Sequence, residues 1–287
     1  MVISLLFCLF AASCGKDYPM PATGDSEAEI GICLRFGSSK SSVAGGEVEQ
    51  IRNVCIGVFD ENDNLELFSR MTAEEIDEGL STQLSVTVGP KTVHAVANVS
   101  EALAENLAKA SGKAEFLSAA TVLDRDNVVT ADGTFLLMHG SIDGNDSVIE
   151  VAPAGPEGMT SCSVLLERLV SKVCLYRIVN SISEPLIWKE AGIAVTAIFL
   201  MDANVWDCIG KGLCLQPSYA DWKGIPLLGD KVTDCNLAYG KSYDKTLFTY
   251  YTYSGNGGKV TYLCLETVLS KGEARKKCYY SIPIEEI

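Results

Sequence analysis

Histidine is almost missing from this sequence, with 2 residues in a chain of 287. Imidazole is the side chain that titrates near neutrality and the commonest metal ligand, so its scarcity thins the supply of acid–base groups and metal ligands. Positive charge is also short, at Lys+Arg 23 against Asp+Glu 37, and the net charge of −14 would repel nucleic-acid phosphates and anionic headgroups. No C-x-x-C, G-x-S-x-G, H-E-x-x-H, P-loop or Gly-rich dinucleotide turn occurs. These absences argue against nucleic-acid partners, metal centres, nucleotide cofactors and the common catalytic templates. A carboxylate-based enzyme stays open.

What is present begins at the N-terminus. Val2 to Ala12 is apolar except for Ser4, and the first charge is Lys16. The run is too short to cross about 30 Å of hydrocarbon and fits a secretory h-region. Ala11-Ala12-Ser13-Cys14 then leads small residues directly into a cysteine and resembles the lipobox of bacterial lipoproteins. On that resemblance residues 1–13 form a signal peptide, and Cys14 becomes the acylated first residue of the mature chain. Each buried CH₂ contributes about 0.8 kcal/mol, so two acyl chains would hold the protein at a membrane. No Lys or Arg precedes the apolar run, which leads to the expectation of a basic segment lost upstream of Met1.

Of 11 cysteines, Cys8 would leave with the signal and Cys14 would carry lipid. An odd set remains, so not all can pair, and most are expected to be small buried hydrophobes. Cys208 and Cys214 are the one pair close enough in sequence to test for a disulfide.

Residues 14–27 are rich in Pro, Gly and charge and are expected to form a flexible tether. Ile30, Ile32, Leu34 and Phe36 share one face of an alternating strand, and residues 37–46 are a Gly/Ser-rich loop. Val54–Phe59, the turn Asp60-Glu-Asn-Asp-Asn64 and Leu65–Phe68 make a hairpin. Thr72-Ala-Glu-Glu75 has the form of a capping box opening a short helix. Strands follow at 84–88 and 92–99, and Ser100 caps a helix from Glu101 to about Ser111. Phe135–Met138 and Val148–Val151 are further strands. Ala152-Pro-Ala-Gly-Pro-Glu-Gly158 is the strongest linker signal and places a domain boundary near residue 160. Val164–Ile178 is expected to be a long strand from its β-branched content, and Gly192–Met201 a central one. Leu247–Tyr253 and Lys259–Leu269 are expected to pair as a hairpin across Gly255-Asn-Gly-Gly258. In Tyr279-Tyr-Ser-Ile-Pro-Ile284, Pro283 implies an edge strand. The pattern is mainly β: two β-sandwich domains in series, 28–160 and 161–287, with one or two short helices.

Chemistry-bearing residues are sparse. His94 lies mid-strand and is more simply a packed histidine than a base; the same holds for His139. Asp60–Asn64 lacks the sixth-position Gly and twelfth-position Glu of a calcium loop and is a solvated turn. The tyrosines at 250, 251, 253, 279 and 280 could stack on sugar or protein, though strand-spaced aromatics more often fill cores.

Several segments together resemble the Bacteroidales fimbrillin family, the lipoprotein-derived subunits of type V pili. They are the lipobox at Cys14, Ile51-Arg-Asn-Val-Cys-Ile-Gly-Val-Phe-Asp-Glu-Asn-Asp-Asn-Leu65 and Thr92-Val-His-Ala-Val-Ala-Asn-Val99. Next come Leu166-Glu-Arg-Leu-Val-Ser-Lys-Val173 and Val195-Thr-Ala-Ile-Phe-Leu-Met-Asp-Ala203. The last are the segment from Phe248 to Lys259 and Cys278-Tyr-Tyr-Ser-Ile-Pro-Ile284. The resemblance implies transthyretin-like sandwiches and a non-enzymatic, cofactor-free building block. It also implies export as an outer-membrane lipoprotein and removal of the first strand by an Arg-directed protease. The emptied lane would be filled by a strand of another subunit, in a surface fimbrium that mediates adhesion to a host or bacterial receptor. Arg35, inside the first strand, and Arg52, at the start of the next, are the candidate processing residues; the loop between them holds Lys40 and no Arg. The family continues past its Tyr-Tyr-x-Ile-Pro-Ile strand, so ending at Glu285-Glu-Ile287 leads to the expectation of a shortened C-terminus or a subunit at one end of a fibre. The alternatives are a lipid-anchored adhesin or anchor that does not polymerise and, more remotely, a secreted glycan hydrolase with two carboxylates about 5–10 Å apart.

Overall fold

The computed structural model describes residues 27–36, 51–72, 74–75, 81–122, 129–130, 133–153, 159–203, 206–208, 229–244, 248–253 and 260–284. The signal segment, Cys14, most of the tether, the loop with Lys40 and Cys214 lie outside them.

Strands β1 (Glu27–Phe36), β2 (Asn53–Phe59), β3 (Leu65–Thr72), β4 (Ser81–Thr87) and β5 (Gly89–Ala97) come first. Helices α1 (Glu101–Ala108) and α2 (Lys113–Leu117) follow, then β6 (Ala120–Val122), β7 (Val129–Thr130), β8 (Gly133–Thr134), β9 (Met138–Ile142), β10 (Ile149–Val151) and β11 (Thr160–Arg168). One eight-stranded sheet takes the order β3-β2-β5-β9-β11-β1-β4, with β10 on β5. Its inward residues, among them Ile30, Ile32, Val54, Ile56, Val93, Ile142 and Val164, form one buried cluster. The two ends of the sheet are tied to each other: Glu66 of β3 accepts the Thr87 N–H of β4, and Thr82 Oγ1 lies 3.3 Å from Met71 Sδ. The sheet thus folds over its own core as a sandwich does.

Local chemistry sets the turns. Asp60 Oδ1 accepts the N–H groups of Asn62 and Asn64, both at 2.8 Å, closing the β2–β3 hairpin as expected of an Asx turn. Ser100 caps α1 by accepting the Leu103 N–H at 3.3 Å. The expected helix ends earlier than Ser111, and α2 restarts at Gly112, where a Cβ would stand 2.7 Å from the Asp63 carbonyl oxygen. The Glu75 carboxylate does reach back to the Thr72 N–H at 2.7 Å, but Thr72 ends β3 and residues 74–75 form a turn. The capping-box hydrogen bond serves a turn there.

The second half contains β12 (Val170–Leu175), β13 (Ile178–Val179), a 3₁₀ turn at Leu186–Trp188, β14 (Gly192–Met201) and β15 (Trp206–Cys208). It continues with β16 (Gly229–Leu237), β17 (Ser242–Tyr243), β18 (Phe248–Tyr253), β19 (Thr261–Lys271) and β20 (Ala274–Ile284). Sheet β16-β14-β19-β20 and ribbon β12-β18 enclose a third cluster around Ile198, Leu200, Tyr250, Leu263 and Leu265. Both faces of β18 are used, because Tyr251 and Tyr253 join Phe59, Leu107, Phe116 and Leu169 in the cluster under the helices. That apolar layer joins the two halves.

β11 hydrogen-bonds to β9 and β1 and carries the first sheet to Arg168. Two expectations are revised. The long strand expected over 164–178 is interrupted at Leu169, whose side chain turns into the cluster under the helices. The hairpin expected across Gly255–Gly258 does not form: β18 pairs with β12, while β19 pairs with β14 and β20. A Gly-rich connection marks a reversal but does not say whether the chain returns to the same sheet or to the facing one. Pro283 does lie on an edge strand, β20.

Candidate functional site

β1 is the first strand in sequence and yet stands inside the sheet. It runs parallel to β11, from Ile30↔Thr160 to Phe36↔Leu166, and antiparallel to β4, from Glu27↔Thr87 to Cys33↔Ser81. A parallel neighbour cannot be reached by a tight turn, so β1 is held by sheet pairing and side chains rather than by a hairpin. Its alternation explains the placement: Ala28, Ile30, Ile32 and Leu34 are 0–4% exposed, and Glu27, Glu29 and Arg35 face solvent. Burying Ile30, Ile32 and Leu34 contributes roughly 5–9 kcal/mol at 1.5–3 kcal/mol each, as an upper figure. Removing β1 would expose an apolar lane and unpair the facing N–H and C=O groups of β11 and β4, the condition that invites another strand.

The outer face of the lane is built differently. A Cβ at Gly31 would meet the Met159 methyl at 2.8 Å, so Met159 lies over the strand where it has no side chain. Gly31, Cys33, Thr82, Gln83, Met159 and Ser161 line a shallow pocket there. Cys162 on β11 points the other way, into the core, and burial pushes its thiol up to about 11. Burial likewise pushes Cys55 up to about 12. These two cysteines are un-ionised packing residues, as expected of small hydrophobes. Cys33, Cys55, Cys162, Cys174, Cys235, Cys264 and Cys278 are free thiols.

The two candidate processing residues have different settings. Arg35 is exposed but hydrogen-bonded into the sheet opposite Leu165. Arg52 lies in a half-buried bend just before β2, its guanidinium carbon 5.4 Å from the Phe135 ring centroid. Its N–H donates to Asn98 Oδ1 at 2.8 Å. β1 and β2, the strand that Arg52 precedes, belong to one sheet, and residues 37–50 between them lie outside the described residues.

Sequence reasoning missed what the histidines do. His94 on β5 and His139 on β9 stack with ring planes 5° apart, and His94 Nδ1 lies 3.1 Å from His139 Nε2. His94 Nε2 lies 2.8 Å from Asp146, and Lys113 bridges Asp146 and Asp63 at 3.4 and 2.6 Å. The chain links β5 and β9 to two turns and α2; no sequence spacing connects positions 94 and 139. Among the described residues no group of three or more His, Cys, Asp or Glu side chains is arranged to hold a metal. No helix of the described residues is long and apolar enough to cross a membrane.

The fold and the inserted first strand define a class: mainly β proteins of sandwich type in which the opening strand completes the sheet from within. Residues 37–154 match the family model of the major fimbrial subunit protein (FimA). No curated protein matches the sequence. Among solved structures, a protein described as a cell adhesion protein of Parabacteroides distasonis is similar with a TM-score of 0.64 at 13% identity, over 88% of this chain and 80% of that one. The fimbrilin (FimA) of Porphyromonas gingivalis is similar with a TM-score of 0.56 at 13% identity, over 91% and 82%. The tip fimbrial protein of Porphyromonas gingivalis is similar with a TM-score of 0.50 at 16% identity, over 90% and 81%. These likenesses extend the fimbrillin fold to the second half of the chain.

Proposed function

We propose that the protein is a structural subunit of a cell-surface pilus, exported as a lipoprotein through Cys14 and assembled by proteolytic removal of β1 followed by strand exchange. The observation that carries this is the position of β1: first in sequence, interior in the sheet, and joined to its neighbours only by pairing and an apolar face. Cutting at Arg52 would separate the whole of β1 from β2, whereas Arg35 is itself a ladder residue of β1. Arg52 is therefore the favoured processing residue. The partner is another subunit whose alternating strand enters the lane between β11 and β4, and before processing the outer membrane is reached through lipid on Cys14. Adhesion to a surface receptor follows from the assembled fibre, a structural role that calls for no catalytic residue or cofactor.

The test is treatment of the purified full chain with an Arg-specific protease. Cleavage after Arg52 followed by a ladder of SDS-resistant oligomers is expected, and Arg52→Ala should abolish both while Arg35→Ala leaves them intact. A chain that is cut at Arg52, loses β1 and stays monomeric would instead identify a lipid-anchored adhesin.

A further inference from the structure

β4 is the last strand of the first sheet, and among the described residues its one strand neighbour is β1, paired from Glu27↔Thr87 to Cys33↔Ser81. Val86 points into the core and Leu84 packs against it. Beyond that ladder and those side chains, the two ends of β4 are held very differently. Near Ser81, Thr82 Oγ1 lies 3.3 Å from Met71 Sδ of β3, and a thioether is a weak acceptor. At Thr87 the contacts carry charge. Glu66 of β3 accepts the Thr87 N–H through Oε1 and pairs through Oε2 with Lys91 Nζ of β5 at 2.9 Å. The same Nζ donates to Thr87 Oγ1 at 2.9 Å.

The Lys91 and Glu66 side chains are 4% and 18% exposed. Burying an ammonium and a carboxylate strips most of their hydration, and a pair of apolar residues in the same space commonly serves stability as well. What two apolar residues could not do is bind the N–H and the hydroxyl of a third strand. The position of the pair fits that task. Only Val88 separates Thr87 from β5, and Gly89 takes a φ of 116°, so the ion pair stands at the corner where the chain turns from the end of the sheet to its interior. Charge-assisted hydrogen bonds are the stronger kind, and here they gather at one end of β4.

We infer that Glu66 and Lys91 form a latch that holds the Thr87 end of β4 in place whether or not β1 is paired to it, while the Ser81 end is held chiefly by β1. Opening then has a direction. β4 frays from Ser81, and β1 separates from it first at Cys33 and last at Glu27. If β1 is removed during assembly, the latch keeps the β4 wall of the emptied lane standing. That consequence, unlike the latch itself, rests on the strand-exchange reading.

The experiment is residue-resolved amide hydrogen exchange on the purified full chain, which reads local opening strand by strand. In the parent, protection along β4 is expected to be weakest near Ser81 and strongest at Thr87, a gradient that needs no variant to be seen. Glu66→Leu with Lys91→Met removes both charges together, so that neither is left buried alone. It should speed exchange at Thr87 about ten-fold or more and leave β2 and β5 as they were. Even protection along β4 in the parent, or an unchanged Thr87 in the double variant, overturns the latch. So does a rise spread equally over β2 and β5, which would report a general loss of stability. After Arg-specific cleavage the double variant should form SDS-resistant oligomers several-fold more slowly than the parent, and equal rates overturn the role in assembly. A parent that loses β1 and never assembles overturns strand exchange instead, and the Thr87 exchange still decides the latch.

Discussion

The backbone N–H of Arg52 donates to the side-chain oxygen of Asn98 at 2.8 Å, fastening the residue before β2 to the bend after β5. Asn98 completes the tie by donating from Nδ2 to the Leu136 carbonyl at 2.8 Å, and it takes a left-handed φ of 63° that few non-glycine residues adopt. A protease must draw its substrate into an extended strand, so this anchor opposes cleavage at Arg52. Asn98→Gly keeps the φ and removes the anchor. Cleavage after Arg52 by an Arg-specific protease should accelerate several-fold, read by fragment mass, with a loss of about 2–3 kcal/mol in urea unfolding for two hydrogen bonds. An unchanged cleavage rate would show that Arg52 is reached without opening this contact.

The lane occupied by β1 is held by its inward face. Ile32 is 1% exposed, and Ile32→Ala should destabilise the chain by about 2–5 kcal/mol. The exposed neighbour Glu29 projects the other way, and Glu29→Ala should stay within about 0.5 kcal/mol. Urea midpoints of the two variants check the contrast, and equal effects would mean that β1 is not seated in the register found here.

The stacked histidines make the fold sensitive to acid. With both rings neutral, His94 Nδ1 and His139 Nε2 share one hydrogen bond, one nitrogen donating and the other accepting, while His94 Nε2 faces Asp146 Oδ1 at 2.8 Å. Protonating both rings sets two N–H donors against each other. Burial holds His94 below the usual imidazole value of 6.5, against the opposing pull of Asp146. Lys113 and Asp63 flank the pair from α2 and the β2–β3 turn, and Glu167 stands opposite His139 on β11. A depressed histidine lets the unfolded chain bind the extra proton first, so its contribution is full above the unfolded value and is lost as pH falls through the folded one. Between about pH 7.5 and 5 the urea midpoint should fall, and His94→Gln should flatten that slope.

In the second half, Asn180 is 0% exposed and donates to the carbonyls of Ala191 and Leu237 at 2.8 and 2.9 Å. It clamps the loop carrying Leu186–Trp188 onto β14 and β16. Asn180→Ala would leave both buried carbonyls without this donor and should cost about 2–4 kcal/mol. A melting curve within error of the parent's would contradict the clamp.

Local physics was legible along much of the chain. Ile30, Ile32 and Leu34 announce a half-buried strand, Asp60 an Asx turn and Ser100 a helix cap, because each depends on residues within a few positions of one another. The β12 and β18 segments were legible as strands but not their pairing. Val173 and Tyr250 meet across a separation that carries no local signal. The cysteines followed composition, small apolar groups placed where solvent is excluded.

By itself the sequence determined a β-rich chain, an apolar run before Cys14, a charge that repels polyanions, and the alternating strands from which sheets are made. Only the tertiary structure decided that the first strand lies between β11 and β4, that β18 leaves the expected hairpin, and that positions 94 and 139 stack. The physical reason is common to all three. Alternation specifies which face of a strand is buried, but its neighbour is chosen by how several such faces close over one core, a property of the whole fold.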